Sequence, residues 1–201
     1  TQGVHPHEAE SFRDDVAVAI REGAGDSRIV AIGEIGLDYY YDHADRGVQR
    51  RVFEQQLAIA AELDLPVVIH TREADEDTRE LLANFSGRLR RGGVIHSFTS
   101  SLSLAEFCLD EGFMLGFNVI ATFNRADNVR EVIEATPVEQ LLLETDAPYL
   151  TPVPYRGRPN APLYLPFVAE KVAEVKQLPV EELLTIARHN SYRLFFPEEA
   201  A

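Results

Sequence analysis

The chain has 201 residues, of which 45% are apolar, and a formal net charge of −14. This length permits one sizeable core, so we expect a single domain over residues 1–201. The acidic balance argues against a protein that holds nucleic acid on a broad basic face, although a few local arginines could still contact phosphate. No segment approaches the ~18 consecutive apolar residues that a membrane span needs.

Cys108 is the one cysteine of the chain, which excludes disulfides and thiolate metal clusters within it. A reducing, cytoplasmic setting is therefore the natural expectation. The first residue is Thr rather than Met, so the lack of a targeting signal carries little weight.

Apolar runs rich in β-branched residues alternate with segments of helical periodicity along the chain. We predict strands at 28–36, 66–70, 92–98, 113–119 and 140–146. We predict helices at 46–65, 73–85, 103–112, 126–136, 163–176 and 179–196. This alternation is typical of βα units and a parallel sheet, and it allows a doubly wound sheet as well as a (β/α) barrel.

Four of the predicted strands end in a residue that can bind a metal: Glu34, His70, His96 and Asp146. The separations of 36, 26 and 50 residues correspond to one, one and two βα units. Each residue alone could be a buried histidine or a turn cap, but four at this spacing are hard to explain as accidents. The carboxyl ends of barrel strands converge on one mouth, so this placement favours an α/β fold of the TIM-type (β/α)8 barrel class.

The ligand types indicate a divalent ion. Imidazole and carboxylate without thiolate suit Zn, Mn or Mg, and a carboxylate can bridge two ions that act together on a phosphodiester. Glu144 lies two positions before Asp146, so a continued strand would direct both acids to one side. We expect Asp146 to reach the metal site and Glu144 to be a neighbouring supporting acid.

Several segments resemble the TatD family of metal-dependent deoxyribonucleases, in the order and at the spacing of that family. They are GVHPH (3–7), AIGEIGLDYY (31–40), PVVIHTREA (66–74), GVIHSFTSS (93–101), LLLETDAPYLTPVPYRGRPNAP (141–162) and ARHNSYRLF (187–195). The resemblance covers essentially the whole chain. It implies a (β/α)8 barrel with two divalent ions and 3′→5′ exonuclease-type hydrolysis of DNA, with RNA as a further candidate substrate.

The resemblance also implies roles for the four residues. Glu34 would bridge the two metals, His70 and His96 would hold one of them, and Asp146 would help to hold the other. Asp146, with Glu34, would take the catalytic part by orienting or deprotonating the attacking water.

The chain departs from the family pattern at its start. The family carries a His-x-His pair on its first barrel strand, whereas GVHPH matches the end of the third strand. We therefore expect six strands here and take His5-Pro6-His7 for a look-alike of that pair. Either the chain is part of a longer protein, or a partner segment supplies the first two strands.

Three residues are candidates for substrate binding: His5 at the barrel mouth, Arg72 two residues after His70, and Arg156 in the loop at 155–162. Each has a structural alternative, namely a rim histidine, an ion pair with a nearby acid, and a rigid loop. Tyr39, Tyr40 and Tyr41 could form an aromatic rim that stacks on a base, or they could simply pack.

Two other functions stay open at this point. An amidohydrolase-type enzyme could use the same ligands to cleave a C–N or ester bond. A barrel kept only as an interaction scaffold is the third reading, although a scaffold has no need of four convergent ligands.

Overall fold

The computed structural model describes residues 1–197. Five parallel strands form one sheet in the order β1-β2-β3-β4-β5. Their bounds are β1 Ile32–Asp38, β2 Val67–Arg72, β3 Gly93–Ile95, β4 Met114–Phe117 and β5 Leu141–Leu143. A doubly wound sheet reverses its strand order part-way, so the strictly sequential order is that of a barrel wall.

Helices connect consecutive strands and cover the outside of this wall. They are α1 Asp14–Gly23, α2 Arg46–Leu63, α3 Asp75–Ala83, α4 Leu102–Asp110, α5 Asp127–Ala135, α6 Leu165–Lys176 and α7 Val180–Phe195. Each predicted helix is present, and α1 is an addition. Residues 198–201, the end of the expected domain, lie outside the described range. No helix in residues 1–197 is long and apolar enough to cross a membrane.

The two faces of the sheet are built differently because side chains alternate along each strand. Ile69, Ile95, Leu115 and Leu141 face the helices and belong to the main core. Their neighbours on the other face are Val68, Val94, Met114 and Leu142, which form a small cluster with Leu194 and Phe195 of α7. This second face is the inner face of the barrel wall.

Three expectations at strand ends were wrong. The residue before GVHPH makes a single bridge, Gln2 to Ile32, and a 3-10 helix follows at Pro6–Ser11, so the sixth strand is absent from residues 1–197. Pro6 lacks the N–H that a longer ladder would need. β5 stops at Leu143 because the following segment turns, and Asp146 adopts the left-handed backbone conformation (φ 57°). Glu144 and Asp146 therefore do not share one side of a continued strand.

The third error concerns Glu34, which is the third residue of β1 rather than its last. Gly33 pairs with Val68 and Ile35 with Ile69, so Glu34 is an extra residue in an irregular register. Such a bulge redirects a side chain out of the regular alternation. Here it brings the Glu34 carboxylate to the residues of the inner face.

Candidate metal centre

Because side chains alternate between the two faces of a strand, the site residues lie on the inner face, next to its small apolar cluster. Val68 is followed by His70 on β2, and Val94 by His96 directly after β3, each two positions further along the chain. Leu142 is followed in the same way by Glu144. A cavity of about 930 Å³ opens beside these residues, and its lining includes His5, Glu34, His70, His96 and Asp146.

Glu34 lies at the centre of this group. One of its carboxylate oxygens, Oε1, is 2.9 Å from His70 Nδ1, 3.5 Å from His5 Nε2 and 3.9 Å from His96 Nε2. Burial would raise the pKa of Glu34, but the hydrogen bonds of His5 and His70 and the charge of His96 lower it far below its ordinary value. The carboxylate is therefore ionised and can serve several cations at once.

His70 has different partners on its two ring nitrogens. Nδ1 faces Glu34 at 2.9 Å, and Nε2 is 2.9 Å from Asp38 Oδ2. A carboxylate that accepts the N–H of one ring nitrogen leaves the lone pair of the other nitrogen for a metal. Asp38 thus orients His70 so that Nδ1 faces Glu34 and could bind a metal.

His96 repeats this arrangement with the opposite nitrogen. Nδ1 is 2.7 Å from Glu144 Oε2, and Nε2 faces Asp146 Oδ1 at 3.5 Å and Glu34 at 3.9 Å. Burial lowers the pKa of His96, but Asp146 and Glu144 outweigh burial and raise it to about 11. A proton held between acids in this way occupies the position that a bound cation would take.

The Asp146 carboxylate has few other contacts. Within residues 1–197 its nearest partner is His96 Nε2, at 3.5 Å, and its side chain is about a quarter exposed (27%). A half-buried acid that makes no short hydrogen bond is under-compensated unless a cation joins it. The donor set of Glu34, His70, His96 and Asp146 therefore fits a divalent ion bound by nitrogen and oxygen.

His5 also comes close, since it, Glu34 and His70 bring ligand atoms within 4.8 Å of one another. However, its Nδ1 accepts the backbone N–H of His7 at 3.2 Å. A neutral imidazole that accepts at Nδ1 carries its proton on Nε2, the nitrogen that faces Glu34. His5 is therefore set up as a hydrogen-bond donor into the cavity rather than as a metal ligand.

Sequence reasoning missed Asp38, the last acid of GEIGLD. Its side chain is fully buried, and Oδ2 contacts His7 Nε2 at 3.0 Å in addition to His70. Its other oxygen, Oδ1, accepts the backbone N–H groups of Tyr40 and Tyr41 at 3.1 and 2.8 Å. The available signal was its spacing of four residues from Glu34 on a strand, which the prediction ended too early.

The strand without a ligand has its own part in the site. A Cβ on Gly116 of β4 would lie 2.9 Å from Glu144 Oε2. Glu144 therefore reaches across β4 to His96 only because residue 116 is a glycine. Glu144 also accepts the backbone N–H of Ser97 at 2.6 Å, which holds the carboxylate in this position.

The substrate-binding candidates separate into two groups. His5 and Arg72 line the cavity, whereas Arg156 does not and instead stacks on Phe123, 4.3 Å from the ring centroid. The Arg72 guanidinium lies over Tyr40 at 4.0 Å and over Tyr41 at 4.8 Å. Within residues 1–197 it forms no hydrogen bond and no ion pair, so the salt bridge considered as its alternative role is not made.

Comparison with known proteins shows to which family this chain belongs. A family model described as TatD related DNase matches residues 1–196. The chain belongs to the TatD family. It is 40% identical to a Bacillus subtilis protein named uncharacterized metal-dependent hydrolase YabD, over 96% of this chain and 75% of that protein.

Other TatD relatives agree with this assignment. The chain is 39% identical to a protein of Erwinia tasmaniensis named 3′-5′ ssDNA/RNA exonuclease TatD, over 97% of this chain and 77% of that protein. The crystal structure of YJJV, a TatD homologue from Escherichia coli, superposes with a TM-score of 0.90 at 32% identity and covers 97% of this chain and 75% of the other. The predicted fold class and the prediction of a metal-dependent hydrolase are thereby confirmed.

Proposed function

We propose that this hydrolase cleaves phosphodiester bonds at the 3′ ends of DNA and RNA, within one barrel domain. The observation that carries the proposal is the meeting of two kinds of group in one cavity. Glu34, His70, His96 and Asp146 would supply the ligands for divalent ions, and Arg72 lines the same cavity with a guanidinium that makes no ion pair within residues 1–197. Relatives from two genera are named 3′-5′ ssDNA/RNA exonucleases, which supports this substrate class.

The divalent ions and the side chains of the site would have different roles in hydrolysis. Divalent ions, when bound, would supply a Lewis acid and activate water at neutral pH. Glu34 would be shared between two ions, since its oxygen faces His70 on one side and His96 on the other. Asp146 would orient the attacking water and accept its proton, because its carboxylate has no short hydrogen bond within residues 1–197.

His5 and Arg72 would act on the substrate. The His5 Nε2–H group faces the cavity and can donate a hydrogen bond to a phosphoryl oxygen. The Arg72 guanidinium can bind a phosphate with two parallel N–H groups, and the two tyrosine rings already fix its plane. Because the phosphate contacts are local, they do not require a broad basic surface. A nucleic-acid substrate is therefore compatible with the net charge of −14.

The test is an assay of the metal-loaded protein on single-stranded DNA labelled at its 5′ end. We expect a ladder of products that shortens from the 3′ end, with loss of the activity in EDTA and its return on addition of Mn²⁺ or Zn²⁺. A parallel assay with a dihydropyrimidine-type amide separates the amidohydrolase alternative. Hydrolysis of the amide without any product from DNA or RNA would overturn the proposal.

A further inference from the structure

A second, smaller cavity adjoins the metal cavity. It has a volume of about 380 Å³ and lies between the loop after β2, the loop after β3 and the start of α5. The two cavities share Arg72 and Thr99 in their linings. A ligand that extends from the metal centre past Arg72 therefore enters the smaller cavity.

Arg72 stands at this boundary in a fixed orientation. It follows His70 by two residues on β2, so both side chains leave the same face of the strand about 7 Å apart. The guanidinium rests on Tyr40 and Tyr41, whose backbone N–H groups are held by Asp38. Its N–H groups are thus oriented for an anion, and no carboxylate of residues 1–197 occupies that position.

The interior of the smaller cavity is unsuited to a phosphate. Apart from Arg72, its charged residues are the acids Glu73, Asp75 and Glu131. Within residues 1–197, the carboxylates of Glu73 and Glu131 accept no hydrogen bond, while Asp75 accepts two from Ser101. Such a cavity repels an anion, but it offers acceptors to the amino groups of a base and the hydroxyls of a sugar.

We infer that the smaller cavity is a second nucleotide subsite. Arg72 binds the phosphate next to the scissile one, on its 5′ side, and the nucleoside beyond that phosphate occupies the smaller cavity. This inference rests on the proposed function, and it adds that the enzyme contacts one phosphate and one nucleoside beyond the dinucleoside unit that contains the bond it cleaves.

The test compares three substrates with the metal-loaded protein. They are a dinucleoside monophosphate, the same molecule with a 5′-phosphate, and the corresponding trinucleotide, which adds the further nucleoside. We expect kcat/KM to rise about tenfold with the added phosphate and about tenfold again with the added nucleoside, as charge-assisted and neutral polar contacts of this kind allow.

Two variants separate the two increases. Arg72→Ala should abolish the gain from the 5′-phosphate. Asn128→Trp should fill the smaller cavity, which Asn128 lines, and bring the ratio of trinucleotide to phosphorylated dinucleotide to about one. The matched control is Glu134→Trp, on an exposed position of the same helix outside both cavities, which should keep both increases.

The outcomes distinguish this inference from the proposed function. Hydrolysis that does not depend on substrate length, or a nucleoside gain that persists in Asn128→Trp, would overturn the second subsite and leave the nuclease proposal intact. Absence of hydrolysis of all three substrates and of longer DNA and RNA would overturn the proposed function and the subsite together.

Discussion

The two histidines of the metal centre are held by carboxylates of unequal burial. Asp38, the partner of His70, is fully buried, and its two oxygens contact two histidines and two backbone N–H groups. Glu144, the partner of His96, is about a quarter exposed (23%), and within residues 1–197 its carboxylate has two hydrogen-bond partners, His96 and the Ser97 N–H. The half of the site on β1 and β2 is therefore part of the core. The half around His96 instead depends on the Glu144 side chain, which extends past β4 to contact His96.

The largest expected effect is on activity and concerns the less buried half. Asp146→Asn keeps the size of the side chain but removes its charge and its basicity. We expect hydrolysis of single-stranded DNA to fall by at least ~10²–10⁴-fold, the usual contribution of a general base. At neutral pH the metal-free protein should also lose some unfolding free energy, because the Asp146 carboxylate helps to raise the pKa of His96.

The control for this variant is Asp110→Asn, which changes an exposed acid at the end of α4 and should keep full activity. Near-normal nuclease activity of Asp146→Asn would contradict the role given to this residue in the metal centre.

The next effect tests the buried half. Asp38→Asn replaces an acceptor-only carboxylate by an amide that must place an N–H group where His70, His7 or a backbone amide now donates. We expect metal affinity to fall about 10–100-fold, as it does when the support of a metal-binding histidine is lost. The metal-free protein should also lose about 1–3 kcal/mol of unfolding free energy. Chelator competition and denaturant titration in EDTA measure the two quantities.

Glu144→Gln should give a smaller change of the same kind. Metal affinity should again fall, near the lower end of the same range. The unfolding free energy should fall by only about 0.5–1.5 kcal/mol, because this carboxylate is partly exposed and has fewer partners. Equal losses of stability in Asp38→Asn and Glu144→Gln would remove the contrast between the two halves.

The smallest effect is on the pH dependence of stability in the metal-free protein. Burial would raise the pKa of Asp38, but the Tyr41 N–H and the two histidines lower it below 3.8, and the pKa of Glu34 lies below 4.5. Their contributions are present above those values and are lost as the pH falls. The His96 contribution is complete below 6.5 and is lost as the pH rises toward about 11.

We therefore expect maximal stability of the metal-free protein between about pH 4.5 and 6.5 from these three groups. Asp38→Asn should flatten the acidic side of the profile, and Glu144→Gln should flatten the alkaline side. Denaturant titrations in EDTA from pH 3 to 9 would show this, and a profile unchanged in both variants would refute it.

The local pattern of the sequence predicted most of the fold. Runs of β-branched residues and helical spacing identified all five strands and six of the seven helices within a few residues. The same pattern brought His70 and His96 to one face, because strand alternation is a property of the backbone itself. The bulge at Glu34 and the early end of β5 were not predicted, since neither follows from a simple period.

The sequence by itself determined which residues could bind metal and that His70 and His96 would lie on one face of the sheet. Only the tertiary structure decided which nitrogen of each histidine faces Glu34, that His5 Nδ1 accepts a backbone N–H, and that Arg72 makes no ion pair with an acid of residues 1–197. These properties depend on contacts between residues far apart in the chain, such as Asp38 with His70 and Glu144 with His96, which are 32 and 48 positions apart. A local period sets the direction of a side chain, but the ring nitrogen that it presents is fixed by the partner that folding brings to the other nitrogen.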